Sequence, residues 1–125
     1  MPNIGSLVHP DVPTCGLDES LNDVSRRVLE AGWNTCVVVN AERIVIGRLF
    51  KKELESGAGG SVETAMRPGP STYRPNVDVL EMSHHLTERK LQTALVTLSN
   101  GRLLGLVRLH EILDSAATLG HGHEH

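Results

Sequence analysis

The chain has 125 residues, 39% hydrophobic and 22% charged, with a formal net charge of −3. That length holds one domain or two small units sharing a core. The interspersed charges give no electrostatic reason to expect nucleic acid or an anionic membrane as a partner, and Trp33, Phe50 and Tyr73 are too few aromatics for a base-stacking platform.

In chain order, a short extended piece around Val12 to Cys15 leads into a helix. Leu21, Val24 and Val28 sit at i, i+3 and i+7, one apolar stripe. Asp18 stands before it as the expected N-cap. A strand rich in β-branched residues follows ("TCVVVN"), then a turn ("AER"), a second strand ("IVIGRL"), and a helix from Lys51 to about Ser56. The stretch "SGAGGS" reads as a flexible linker by composition.

The same order then returns. An extended piece, Pro70 to Tyr73, precedes a helix with Val79, Met82 and Leu86 in its stripe and Asn76 as expected cap. "TALVTL" and "RLLGLV" are joined by "SNGR", in which Asn100-Gly101 is a strong hairpin signal because both residues tolerate positive φ. A helix from Leu109 to about Thr118 closes the copy, and "HGHEH" ends the chain.

The two halves are one pattern written twice. Gly47 recurs at Gly105 and Glu53 at Glu111, both 58 residues on. The same step carries Pro10 to Pro68, Thr14 to Thr72, Thr35 to Thr93 and Val38 to Val96, and it keeps the apolar positions in register without a gap. The expected fold is therefore α/β, two β-α-β-β-α repeats packed sheet to sheet about a pseudo-twofold axis, each copy supplying the other's missing core wall. The repeats span 1–57 and 62–118, joined by a linker at 58–61 and followed by a disordered tail at 119–125. Clefts between such halves are where small ligands tend to bind.

The ordered set of elements resembles the paired CBS domains of the Bateman module, over about residues 4 to 114. The opening signature stands here as "VETAMRP" (Val62 to Pro68), with a fainter form in "IGSLVHP" (Ile4 to Pro10). The closing signature, a glycine, two apolar residues, Thr or Ser, two variable residues and Asp, stands as Gly47 to Glu53 and Gly105 to Glu111.

The resemblance implies a cytoplasmic, non-catalytic regulatory module that needs no cofactor. It would bind an adenosyl ligand such as AMP, ADP, ATP or S-adenosylmethionine in the inter-repeat cleft. It would pass its state to an effector protein, and would itself form a homodimer. It further implies that Glu53 and Glu111 hold the ribose hydroxyls and that the Thr/Ser position meets the phosphate. The segments at Asn34-Thr35 and Gln92-Thr93 would line the adenine pocket, with Thr14, Thr72 and Tyr73 nearby. This chain departs from the pattern at the acidic position, which is Glu in both copies, and at the hydroxyl position, which is Phe50 in one and Arg108 in the other. Phe50 cannot donate to a phosphate, whereas Arg108 offers a charge-assisted bond. The second site is therefore expected to be the more competent.

Each residue also has a plainer reading. Glu53 and Glu111 sit in the first turn of a helix, where a carboxylate is stabilised by about 0.3–1 kcal/mol without any ligand. The threonines are good strand formers, and Tyr73 suits packing on the adjoining helix. Cys15 and Cys36 show no metal-ligand spacing and no feature that lowers a thiol pKa. They read as buried free thiols, as a reducing cytosol favours. No apolar run spans a membrane, and neither part of a secretion signal stands at the N-terminus. No nucleophile–base motif, P-loop or H-E-x-x-H is present. The alternative function is a structural or protein–protein interaction module with vestigial clefts. A weaker reading is metal handling by His121, His123 and His125.

Overall fold

The computed structural model describes residues 2–123, and side chains through Thr118. The first half forms β1 (Thr14–Cys15), α1 (Leu21–Glu30), β2 (Cys36–Val39), β3 (Val45–Leu49) and α2 (Lys51–Leu54). After α3 (Val62–Ala65) and β4 (Arg67–Pro68) come β5 (Thr72–Tyr73), α4 (Val79–Arg89), β6 (Thr93–Thr97), β7 (Leu103–Arg108) and α5 (Leu109–His123). The two apolar stripes are buried as their spacing predicts.

The helix caps differ from expectation. Ser20 caps α1, accepting from Asp23 N, and Asp78 caps α4, accepting from Leu80 N at 2.8 Å and Glu81 N at 3.3 Å. Each lies two residues beyond Asp18 and Asn76, because the stripe itself starts at the first helical residue, Leu21 or Val79. Both helices close with the same long bond, Trp33 N to Val28 O (3.1 Å) and Leu91 N to Leu86 O (2.9 Å). The left-handed residue this closure requires is Gly32 (φ 85) in one copy and Lys90 (φ 57) in the other. The second hairpin turns on Gly101 (φ 90) as read. The first has no glycine: Arg43 takes φ 65, and Asn40 Oδ1 pins the turn by accepting from Glu42 N and Ile44 N.

The packing divides the chain elsewhere than the repeats do. The first compact unit is Asp11–Pro70 with Asn100–Leu103; the second comprises residues up to Pro10, Ser71–Ser99, and the chain from Leu104 on. The first unit holds the sheet β1-β2-β3-β4, with β1 parallel to β2 and β3 antiparallel to both β2 and β4. Its outer strand β4 comes from the lead-in of the second repeat. The second unit holds β5-β6-β7, and there His9, from the lead-in of the first repeat, bridges Leu106. The lead-in segments are thus exchanged. Each core takes one fully buried aliphatic from its borrowed segment, Val62 in the first unit and Ile4 in the second. The linker is also tied down at its end, where Gly60 O accepts from Leu21 N at 2.9 Å.

This exchange explains the repeated glycine. A Cβ on Gly105 would stand 2.3 Å from His9 O and 2.5 Å from Val8 Cγ1; one on Gly47 would stand 2.3 Å from Met66 Sδ. At Gly105, where the obstacle is backbone, only a residue without a side chain lets the lead-in lie this close.

Cys15 and Cys36 are buried and free. The absence of any pKa-lowering feature does not hold for Cys15. A hydrogen bond from the Cys36 thiol holds it below the ordinary thiol range, and the same bond, with burial, pushes Cys36 up. The last helix also runs past Thr118 to His123, into the segment read as a tail, and His125 lies outside the described residues. Among the described residues no helix is long and apolar enough to cross a membrane.

Gly105→Ala is expected to lower unfolding stability by about 1–3 kcal/mol, because the obstacle is backbone. Gly47→Ala should cost less, since a flexible thioether can swing aside. Lys90→Gly should add about 0.5–1 kcal/mol by relieving the left-handed backbone. Urea unfolding of the three variants measures all of this.

Candidate functional site

Both glutamates singled out by the repeat sit where a sheet ends and a helix begins, and each is held by a basic side chain from the exchanged lead-in. In the second unit Glu111 Oε1 lies 2.6 Å from His9 Nε2, with both side chains about one-third exposed. In the first unit Glu53 Oε2 accepts from Arg67 Nη2 at 3.3 Å, and its Oε1 accepts from Phe50 N at 2.8 Å. His9 and Arg67 are themselves 58 residues apart, each directly before the lead-in proline. That recurrence was available in the sequence. What it lacked was the crosswise exchange that puts each base beside the other copy's acid.

Around Glu111 the fold gathers three more of the expected residues. Leu109 N donates to Gln92 O at 2.8 Å, which ties the approach to β6 to the start of α5. Thr93 opens β6 and Arg108 closes β7, both half-buried. Gln92, Thr93, Arg108 and Glu111 therefore share one end of the sheet. They offer a carboxylate, a guanidinium and an exposed amide within a few residues of a helix start, which favours anions.

Thr72 and Tyr73 are not part of this group. They pair with Leu95 and Val96, further along β6. Tyr73 Oη lies 2.7 Å from His85 Nε2 on α4, with the two rings edge to face. Thr72 Oγ1 accepts from Arg74. Both side chains are held within the fold.

The corresponding end of the first unit is furnished differently. The Phe50 ring carries two guanidinium groups, Arg48 at 4.5 Å and Arg67 at 5.0 Å from its centroid. The ring thus gathers two cations at this end of the unit. Arg48 is 6% exposed, and burial pushes its guanidinium down to about 10, so it remains charged at neutral pH. Its Nε donates to Thr35 Oγ1 at 2.9 Å, and that hydroxyl donates to Leu49 O at 3.1 Å. Thr35 is buried and serves Arg48, whereas Asn34 beside it is exposed. Thr14 stands apart: it pairs with Val37, and its carbonyl accepts from Arg27 Nη2 at 2.9 Å. Sequence reasoning missed His9, Arg67 and Arg48.

Among the described residues no group of three or more His, Cys, Asp and Glu side chains is arranged to hold a metal ion.

The duplicated α/β chain of two small sheets has counterparts among known proteins. The sequence profile of the CBS domain matches residues 61–118. In fold the chain is similar to the cytosolic domain of the Mg2+ channel MgtE in complex with ATP, with TM-score 0.83 and 21% identity over 91% of this chain and 48% of that one. It thus spans about half of that structure. It is similar to CBSX2 in complex with AMP (TM-score 0.81, 17% identity, 96% of this chain and 99% of that one); CBSX2 is from Arabidopsis thaliana. It is also similar to the CBS domain pair of MJ0100 in complex with 5′-methylthioadenosine and S-adenosyl-L-methionine (TM-score 0.78, 13% identity, 94% and 98%). A comparison with curated protein sequences gives no match. Residues 61–118 match the CBS domain by sequence, and the chain as a whole has a fold similar to that of solved CBS-domain pairs.

Thr35→Val is expected to cost about 1–3 kcal/mol in urea unfolding, because Arg48 Nε and Leu49 O both lose a buried partner. Unchanged stability would leave that hydroxyl available to a ligand instead.

Proposed function

We propose that this protein is a regulatory, non-catalytic module that binds an adenosyl ligand of the AMP, ADP, ATP or S-adenosylmethionine class and passes its state to an effector protein. The observation that carries this reading is the group at the end of the second unit's sheet. There Glu111 supplies acceptors for a ribose diol, Arg108 supplies a charge-assisted donor for a phosphate, and Gln92 and Thr93 border the same space. The complexes of MgtE with ATP, of CBSX2 with AMP and of MJ0100 with S-adenosyl-L-methionine support that ligand class. His9 already holds Glu111, so a ligand's ribose must share or displace the imidazole. Binding then shifts whatever conformations differ in that contact, and only by the ligand's preference between them. Passing the signal on through a homodimer belongs to the same proposal.

The first unit supports a second reading, because its equivalent groups are occupied by the fold: Glu53 by Phe50 N and Arg67, Thr35 by Arg48 and Leu49. If the second unit binds nothing either, the protein is an interaction module.

Thermal unfolding with AMP, ADP, ATP, S-adenosylmethionine, adenosine and GTP separates the two. A ligand at 100 times its dissociation constant adds about 2.7 kcal/mol, a shift of several degrees for a domain of this size. Adenosyl compounds are expected to give that shift and GTP none. Arg108→Ala should weaken phosphate-bearing ligands well beyond adenosine, while Glu111→Ala should weaken both alike. No shift with any compound leaves the interaction module standing.

A further inference from the structure

The first unit contains a wide-mouthed pocket of about 700 Å³ that takes no part in the group around Glu53. It lies where the parallel strands β1 and β2 end, at the edge of the sheet away from Thr35, Phe50 and Glu53. The strand register places it: Cys15 pairs with Val38, and Val39 pairs with Val45, while Cys36 pairs with Leu49 at the far end. The crevice beyond the carboxyl ends of parallel strands joined through a helix is a recurrent place for ligands in α/β folds.

The duplication supplies its own reference for why the space is there. The pocket is lined by Cys15, Gly16 and Arg27 among others, and 58 residues on stand Tyr73, Arg74 and His85. In the second unit these fill the equivalent place. Tyr73 reaches across to His85 at 2.7 Å, and the Arg74 guanidinium ties together Thr72, Thr97 and the Leu98 carbonyl. The first unit puts a thiol and a hydrogen where the second has a phenol and a guanidinium, and so leaves the volume open.

Its chemistry is specific. Leu17, Val39 and Ile46 give apolar wall. Arg27 is closed off on both sides, with Nη1 donating to Glu19 Oε1 at 2.9 Å and Nη2 to Thr14 O at 2.9 Å. Glu19 Oε2 is taken by Gly16 N at 2.7 Å. With that ion pair internally neutral, the exposed Asp18 carboxylate leaves one negative charge in excess on the lining. An anion would have to pull Arg27 from Glu19 against that charge; a cation meets it directly.

We propose that this pocket is a second ligand site, found in the first unit only, and that it takes a small organic cation, an amine or amidinium on an apolar body. It is independent of adenosyl binding at Glu111.

The test is an NMR titration of the 15N-labelled protein with benzylamine and, in parallel, with benzoate. Benzylamine is expected to move the amides of Gly16 to Glu19 and of Asn40 and Ala41 saturably, and benzoate to leave them in place. Gly16→Arg plants in the first unit the residue that fills the second. It is tolerated sterically, since a Cβ there meets nothing within 4 Å, and it should abolish the benzylamine shifts while leaving any response to AMP intact. Asp18→Asn, at an exposed position, should weaken benzylamine about threefold, the scale of an exposed ion pair. No saturable shift with benzylamine, equal binding of benzoate, or shifts that persist in Gly16→Arg would each overturn the proposal.

Discussion

Each unit depends on one close approach, in which the backbone of a borrowed lead-in strand lies against a glycine of a strand from the other repeat. His9 exchanges both backbone bonds with Leu106, N to O at 2.8 Å and O from N at 3.1 Å, and Gly105 beside it has no side chain to keep the two apart. Gly47 plays the same part for Met66 and Arg67. With the strand seated there, the residue before the lead-in proline comes beside the glutamate at the start of the next helix. The repeated Gly and the repeated Glu are thus a packing requirement and its electrostatic consequence. They would recur in this chain even if no ligand ever occupied the site.

On that shared frame the two units have diverged in chemistry. One acid faces an imidazole, the other a guanidinium. Around Arg67 the fold has built a stack with Phe50 and Arg48, whose buried guanidinium meets the Thr35 hydroxyl and the ring face. Such an arrangement favours a fixed structure. His9 and Glu111 meet with both side chains about one-third exposed.

Local pattern was legible in the sequence and long-range pairing was not. Helices, strands and hairpins declare themselves through periodicity within ten residues or so, which is why Leu21, Val24 and Val28, and their counterparts, fell on the core side. The duplication was legible too, since it asks only for comparison along the chain. The contact of His9 with Glu111 joins residues 102 apart, and no local periodicity encodes it. The role of Thr35 escaped for a related reason. A recurring polar residue at a strand looks like a ligand contact until the structure supplies Arg48 as its partner. Arg48 itself, inside an apolar strand, is the residue whose oddity was most visible and least used.

The exchange of lead-in segments also sets an order of assembly. Most of the first unit is one continuous stretch, Asp11–Pro70, so during synthesis it can collapse as soon as that stretch has left the ribosome. The second unit cannot. Its lead-in, which carries the apolar Ile4, is made well before Gly105, the glycine it lies against, and so waits unpaired until that segment exists. Closing so long a loop is slow relative to local contacts, and an exposed strand awaiting its neighbour is a surface on which another chain can pair. The architecture that gives each site its acid–base pair therefore leaves the newborn chain an interval in which a second molecule, rather than its own β7, can supply the missing neighbour.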